Sequence, residues 1–146
     1  MEKKFYSKFL YTFLMLWFIS ILAGILCALL FLGELPAWDQ LGYPILGLIL
    51  LSLALTTITI PLYPVIVRPE GIKTYNFWGS YSTTPWEDIV STSSFNMLGL
   101  RYVTFRTKNN KTLYIPRFLG NYLGLRDQVA AWAGEQHLLT TALSAS

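Results

Sequence analysis

Residues 10–32 and 43–63 form two long apolar runs, and neither contains a charged side chain. A helix rises about 1.5 Å per residue, so roughly 20 apolar residues match a hydrocarbon core of about 30 Å. Both runs meet that length, which predicts a hairpin of two membrane-spanning helices occupying residues 1–63. A cleaved secretory signal has an apolar core of only about 7–15 residues. The first run is longer than that and is followed by a second span. Past Tyr63 charges return and the apolar stretches shorten, which marks residues 64–139 as one folded domain and residues 140–146 as a flexible tail.

The positions of the basic residues set the expected orientation. Lys3, Lys4 and Lys8 precede the first run and Arg68 and Lys73 follow the second, whereas the connection between the runs carries only Glu34 and Asp39. Basic flanks remain on the cytoplasmic side during insertion. Both termini and the folded domain are therefore expected in the cytoplasm, with Trp38 and Tyr43 at the outer interface and Tyr6, Tyr11 and Tyr63 at the inner one. Ser20, Gly24 and Ala28 recur every four residues and form a small-residue stripe on which the second helix can pack closely. Ser52 and Thr56 share a face of that second helix. No ionisable side chain lies inside either run, which argues against a proton relay or transport path.

The remainder reads as antiparallel sheet followed by a helix. Residues 64–68 and 72–78 form two strands about a tight turn at Pro69-Glu70-Gly71. Residues 79–84 read as a connection or short strand, and the segment 86–95 as a further extended run. Residues 101–107 alternate, with Val103 and Phe105 on one face and Tyr102, Thr104 and Arg106 on the other. Lys108-Asn109-Asn110-Lys111 then makes a hairpin turn, and residues 112–115 return. The last element is a helix with Asn121 as N-cap and an apolar stripe of Tyr122, Leu125, Val129 and Trp132.

Two membrane spans, a strand–turn–strand around Arg68-Pro69-Glu70-Gly71-Ile72, then Pro85-Trp86-Glu87-Asp88-Ile89, a hairpin and one closing helix together resemble the bacterial pleckstrin-homology-like domain proteins. The glycine after the first strand and the tryptophan-acidic-x-isoleucine segment of that family are matched by Gly71, Trp86, Glu87 and Ile89. The resemblance implies a membrane α-hairpin joined to an α+β soluble domain: a partly open antiparallel barrel of about seven strands capped by one C-terminal helix. It also implies a bacterial inner-membrane protein. Five or six of the seven strands are evident in the sequence. Within this frame Trp86 and Ile89 are expected to fill the barrel with Val129 and Trp132.

Catalytic chemistry finds little to work with. Glu87 and Asp88 are adjacent, so along a strand they point to opposite faces and cannot flank one substrate atom. His137 is the only histidine and Cys27, within the first apolar run, the only cysteine. No Ser-His-Asp or Cys-His arrangement and no glycine-rich phosphate loop is present. The expectation is a non-enzyme without cofactor or metal. What remains is charge and aromatic surface. From residue 64 onward eight basic residues (Arg68, Lys73, Arg101, Arg106, Lys108, Lys111, Arg117 and Arg126) stand against five acids (Glu70, Glu87, Asp88, Asp127 and Glu135), a net of +3. Their scatter argues against nucleic acid. A cluster of Arg106, Lys108 and Lys111 at one hairpin tip would suit anionic lipid headgroups. Trp78, Tyr102 and Tyr114, if gathered on one face, would suit a protein partner. The leading expectation is a membrane-tethered interaction module or accessory subunit that binds another protein, and the reading also allows a homo-oligomer. The alternative is a lipid-headgroup sensor.

Overall fold

The computed structural model of the chain describes residues 2–32, 41–97 and 99–145. In chain order the elements are β1 (Lys3–Phe5), α1 (Phe9–Leu32), α2 (Gly42–Leu62), β2 (Val65–Arg68), β3 (Gly71–Tyr75), β4 (Tyr81–Pro85), β5 (Ile89–Met97), β6 (Leu100–Thr107), β7 (Thr112–Pro116), α3 (Tyr122–Ala133) and α4 (Leu138–Ser144). They fall into two compact units, one of residues 9–62 and the other of residues 1–8 with 63–146. The expectation placed on Trp38 lies outside the described residues.

The helical unit is α1 packed on α2. Both helices are long and apolar enough to span a membrane. Leu10, Leu14, Phe18, Leu22, Leu26 and Leu30 are all exposed on α1, unlike the buried core helix of a soluble domain. The less exposed side of α1 carries the small-residue stripe. The Ser52 hydroxyl lies 3.4 Å from that of Ser20, and a Cβ placed on Gly24 would meet Leu48 Cδ1 at 3.7 Å. Ser20, Ser52 and Thr56 each return their hydroxyl to the carbonyl four residues back, at 2.7–2.8 Å, so Ser52 and Thr56 are buried without unsatisfied hydroxyls. Gly24 therefore tolerates a methyl group but not a branched side chain. Gly24→Leu is expected to lower the melting temperature in detergent by several degrees, whereas Leu14→Val, at an exposed position, leaves it unchanged. Equal melting temperatures would show that the stripe faces away from α2.

The second unit is a seven-stranded antiparallel sheet ordered β1-β2-β3-β7-β6-β5, with β4 paired to β3. Its core lies on the face bearing Val65, Val67, Ile72, Val103, Phe105, Leu113 and Ile115 and is covered by Leu125 and Val129 of α3 and Leu139 and Leu143 of α4. Asn121 caps α3 as expected, its side chain accepting the Gly124 N–H at 3.0 Å. The β6–β7 hairpin also forms as expected, with Asn110 supplying the positive φ of 61° that its turn requires.

Three expectations need correction, and one open alternative is decided. Residues 3–5 do not belong to the helical unit: they form β1 beside β2, with Phe5 buried and Glu2 held by Arg68 at 2.7 Å. The segment read as a connection or short strand takes the strand alternative, with residues 81–85 paired along β3. The supposed tail contains α4, because Leu139 and Leu143, four apart, bury on the core and His137 caps the first turn by accepting the Leu139 N–H. The sheet is thus closed by two helices rather than one. Trp86 lies not on a strand but in a single 3-10 turn with Glu87 and Asp88. It is half-buried at the core margin, donates its indole N–H to the Pro69 carbonyl at 2.8 Å and meets the His137 ring edge-on. Ile89 and Val129 are buried and Trp132 half-buried against the same core.

Candidate functional site

The sheet face opposite the core is aromatic. Pairing sets Tyr102 across from Phe95, and Tyr75 across from Tyr114, so side-chain alternation delivers these rings to one side. Tyr114 lies 6.3 Å from Tyr102 and 6.0 Å from Phe95, ring centre to ring centre, both nearly perpendicular. Tyr102 packs edge-on against Phe118 at 5.4 Å. Toward the other end Phe77 lies 6.4 Å from Tyr114 and 5.4 Å from Trp78. Trp78, Tyr102 and Tyr114, singled out as separate residues in the sequence, thus belong to one connected ring system, and Phe77, Phe95 and Phe118 are the links that sequence reasoning missed. Burial pushes the hydroxyls of Tyr102 and Tyr81 up to about 12, and that of Tyr75 also upward.

The connection between β3 and β4 projects two of these rings. The Asn76 side chain accepts the N–H groups of Trp78 at 3.0 Å and Ser80 at 2.8 Å, and Gly79 adopts a φ of 77° to close the turn. Braced in this way, Phe77 is 62% exposed and Trp78 86%.

Arg106, Lys108 and Lys111 do sit on or beside one hairpin, and all three are exposed. Lys108, however, pairs with Asp88 at 3.2 Å, and its backbone N–H donates to the Asp88 carbonyl. An acidic residue that sequence alone left at the surface thereby offsets one of the three positive charges.

Elsewhere a cleft of about 300 Å³ is lined by Ser94, Phe95, Asn96, Arg101, Arg117 and Ala145. Arg117 donates to the carbonyls of Ala142, at 3.2 Å, and Ala145, fastening the end of α4, and its Nε is covered without a partner among the described residues. Among the described residues no group of three or more His, Cys, Asp or Glu side chains could hold a metal ion.

The lateral edge of the sheet is the other feature. Among the described residues β5 is a terminal strand of nine residues paired to β6 alone. Val90, Ser91 and residues 93–96 are exposed, and no charge or proline interrupts residues 89–97. Among the described residues its outer backbone edge has no main-chain partner. Compared with models of known protein families, with curated proteins and with solved structures, the chain finds no match in any of the three.

Proposed function

We propose that this chain is a membrane-tethered, non-catalytic interaction module. In this reading its two apolar helices cross a bacterial inner membrane, and its sheet domain of pleckstrin-homology-like fold lies in the cytoplasm and receives an extended segment of another protein. Seven antiparallel strands closed by a helix support the fold assignment. Two features depart from the pattern: one strand comes from before the helices and a second closing helix is present. The basic residues around the apolar runs support the orientation.

The observation that carries the reading is the outer edge of β5, whose backbone has no main-chain partner among the described residues. A long, exposed, uncharged edge strand is normally blunted by lysine, proline or a bulge, because its unpaired backbone groups accept another strand. The bulge of β5 lies near its start, between Ile89 and Ser91, and the stretch beyond is regular. Strand addition gains main-chain hydrogen bonds along the edge and selectivity from alternate side chains. Headgroup recognition by Arg106, Lys108 and Lys111 is the weaker reading, since Asp88 already engages Lys108.

The test is a photoreactive amino acid at Ser93 in the full chain, crosslinked in native membranes. A discrete adduct of defined mass is expected, and it should disappear when Ser91→Lys and Ser94→Lys are added to charge the edge. An adduct with a second copy of the chain would make the module a homo-oligomer. Failure to form an adduct, or one insensitive to the lysines, would remove the β5 edge as the binding surface.

A further inference from the structure

We infer that the aromatic face led by Phe77 and Trp78 is a second membrane contact, resting in the boundary between headgroups and acyl chains of a phospholipid bilayer. The inference rests on the reading of the two apolar helices as membrane spans, and it assigns this face to lipid while the β5 edge remains for protein.

Three observations converge. The first is exposure: adjacent aromatic side chains on a braced turn, 62% and 86% accessible, form an apolar projection that a domain surrounded only by water has no reason to keep. The second is the near end of the face. Tyr63 immediately follows Leu62, the last residue of α2, and its ring meets Tyr75 at 5.6 Å and Tyr81 at 6.2 Å. A Cβ placed on Gly79, next to Trp78, would lie 3.4 Å from the Tyr63 hydroxyl. The Phe77-Trp78 turn is therefore packed beside the residue at which the chain leaves the second apolar helix. The third is the far end. The Phe118 carbonyl accepts the backbone N–H of Lys8 at 2.8 Å, and Lys8 immediately precedes Phe9, the first residue of α1.

Tyr63 and Lys8 each belong to the sheet domain and each adjoin an apolar helix in sequence. If those helices cross a bilayer, Tyr63 and Lys8 lie at its surface, and the Phe77-Trp78 turn and Phe118, packed beside them, lie near that level. Their chemistry suits that level. Tryptophan and tyrosine concentrate at membrane interfaces, where the ring is apolar and the N–H or O–H stays wet. Lys73 places its ammonium 4.8 Å from the Tyr81 ring centre at the Tyr63 end, a cation within reach of lipid phosphate.

The experiment uses the full chain in vesicles of phosphatidylethanolamine and phosphatidylglycerol containing lipids with a nitroxide either high or deep on the acyl chain. An environment-sensitive fluorophore is attached in turn to native Cys27, to Trp78→Cys in a Cys27→Ser background, and in that background to Glu135→Cys in the turn between α3 and α4. Trp78 is 86% exposed and meets the ring of Phe77, itself 62% exposed, so its replacement leaves the buried core intact. The shallow nitroxide is expected to quench the probe at 78 severalfold more than the one at 135, with the emission at 78 shifted to the blue. Quenching at 78 no greater than at 135, with Cys27 quenched by the deep nitroxide, would overturn the second contact while leaving the spans in place. An unquenched Cys27 would overturn the membrane reading and this inference with it.

Discussion

Phe105→Ala is expected to destabilise the sheet domain by about 3–5 kcal/mol, the range for emptying a phenylalanine site in a packed core. Phe105 is 1% exposed at the middle of β6, paired with Thr92 on β5 and Leu113 on β7. It belongs to the core that Leu125, Val129, Leu139 and Leu143 seal from the helix side. Four elements would have to move together to refill its volume, so little of the cavity is recovered by relaxation. Domains of this size have about 5–15 kcal/mol to lose, so the variant should be unfolded or readily proteolysed at physiological temperature. Leu123→Ala, on the exposed side of α3, is the matched control and should change stability by less than about 0.5 kcal/mol. Urea titration of the full chain in mild detergent, or its rate of limited proteolysis, reads both. Near-equal stability of the two variants would show that the core does not converge on β6.

Elements with strong periodicity or local chemistry are legible in the sequence. The apolar runs, the alternating residues of β6, the Asn109-Asn110 turn and the Asn121 cap each encode their element within a few neighbouring residues. Elements whose signal is tertiary are not. Lys3–Phe5 is too short to display alternation and reads as the basic flank of a span, because only pairing with β2 makes it a strand. Leu138–Ser144 has a short apolar stripe diluted by threonines, and its stability comes from Leu139 and Leu143 in the core and from Arg117 holding its last carbonyls. The spacing of Leu139 and Leu143 beside a capping His137 was the available clue.

The candidate surfaces divide in the same way. Trp78, Tyr102 and Tyr114 could be named from composition, but not joined, because Phe77 and Phe95 connect them through strand register, which no local pattern specifies. The offset of Lys108 by Asp88 was equally hidden, since the two residues meet only when the 3-10 turn before β5 is brought against the β6–β7 hairpin. Neither β5 as the sheet's terminal strand nor the packing of the Phe77-Trp78 turn beside Tyr63 can be derived without the sheet order. Candidate surfaces of this kind are products of topology. Conserving the composition of β5 or of the Asn76–Ser80 turn while altering strand order would abolish both.

Gly71→Ala is expected to be the most damaging single methyl group that can be added to the sheet domain. The sequence places this glycine in the turn after the first strand of the domain, yet the constraint is close approach rather than backbone conformation. A Cβ on Gly71 would stand 2.2 Å from the Thr84 carbonyl oxygen and 2.9 Å from Pro85 Cα, and both obstacles are backbone atoms of the paired strand. No rotamer change can relieve them, so β3 and β4 must separate, and the separation propagates to Ile72 and Thr84, which are paired and buried. Overpacking of this kind costs about 3 kcal/mol, toward the upper end for added methyl groups because the contacts are main chain. Gly120→Ala is the control within the same domain: its Cβ would meet the Tyr6 carbonyl oxygen at 3.7 Å, ordinary van der Waals contact, and the variant should be close to neutral. Melting temperatures of the two variants should therefore differ by several degrees, with Gly71→Ala the lower, and its proteolysis should begin within residues 69–85. Equal melting temperatures would show that β4 does not lie against the start of β3, and would displace the Phe77-Trp78 turn that these two strands hold in place.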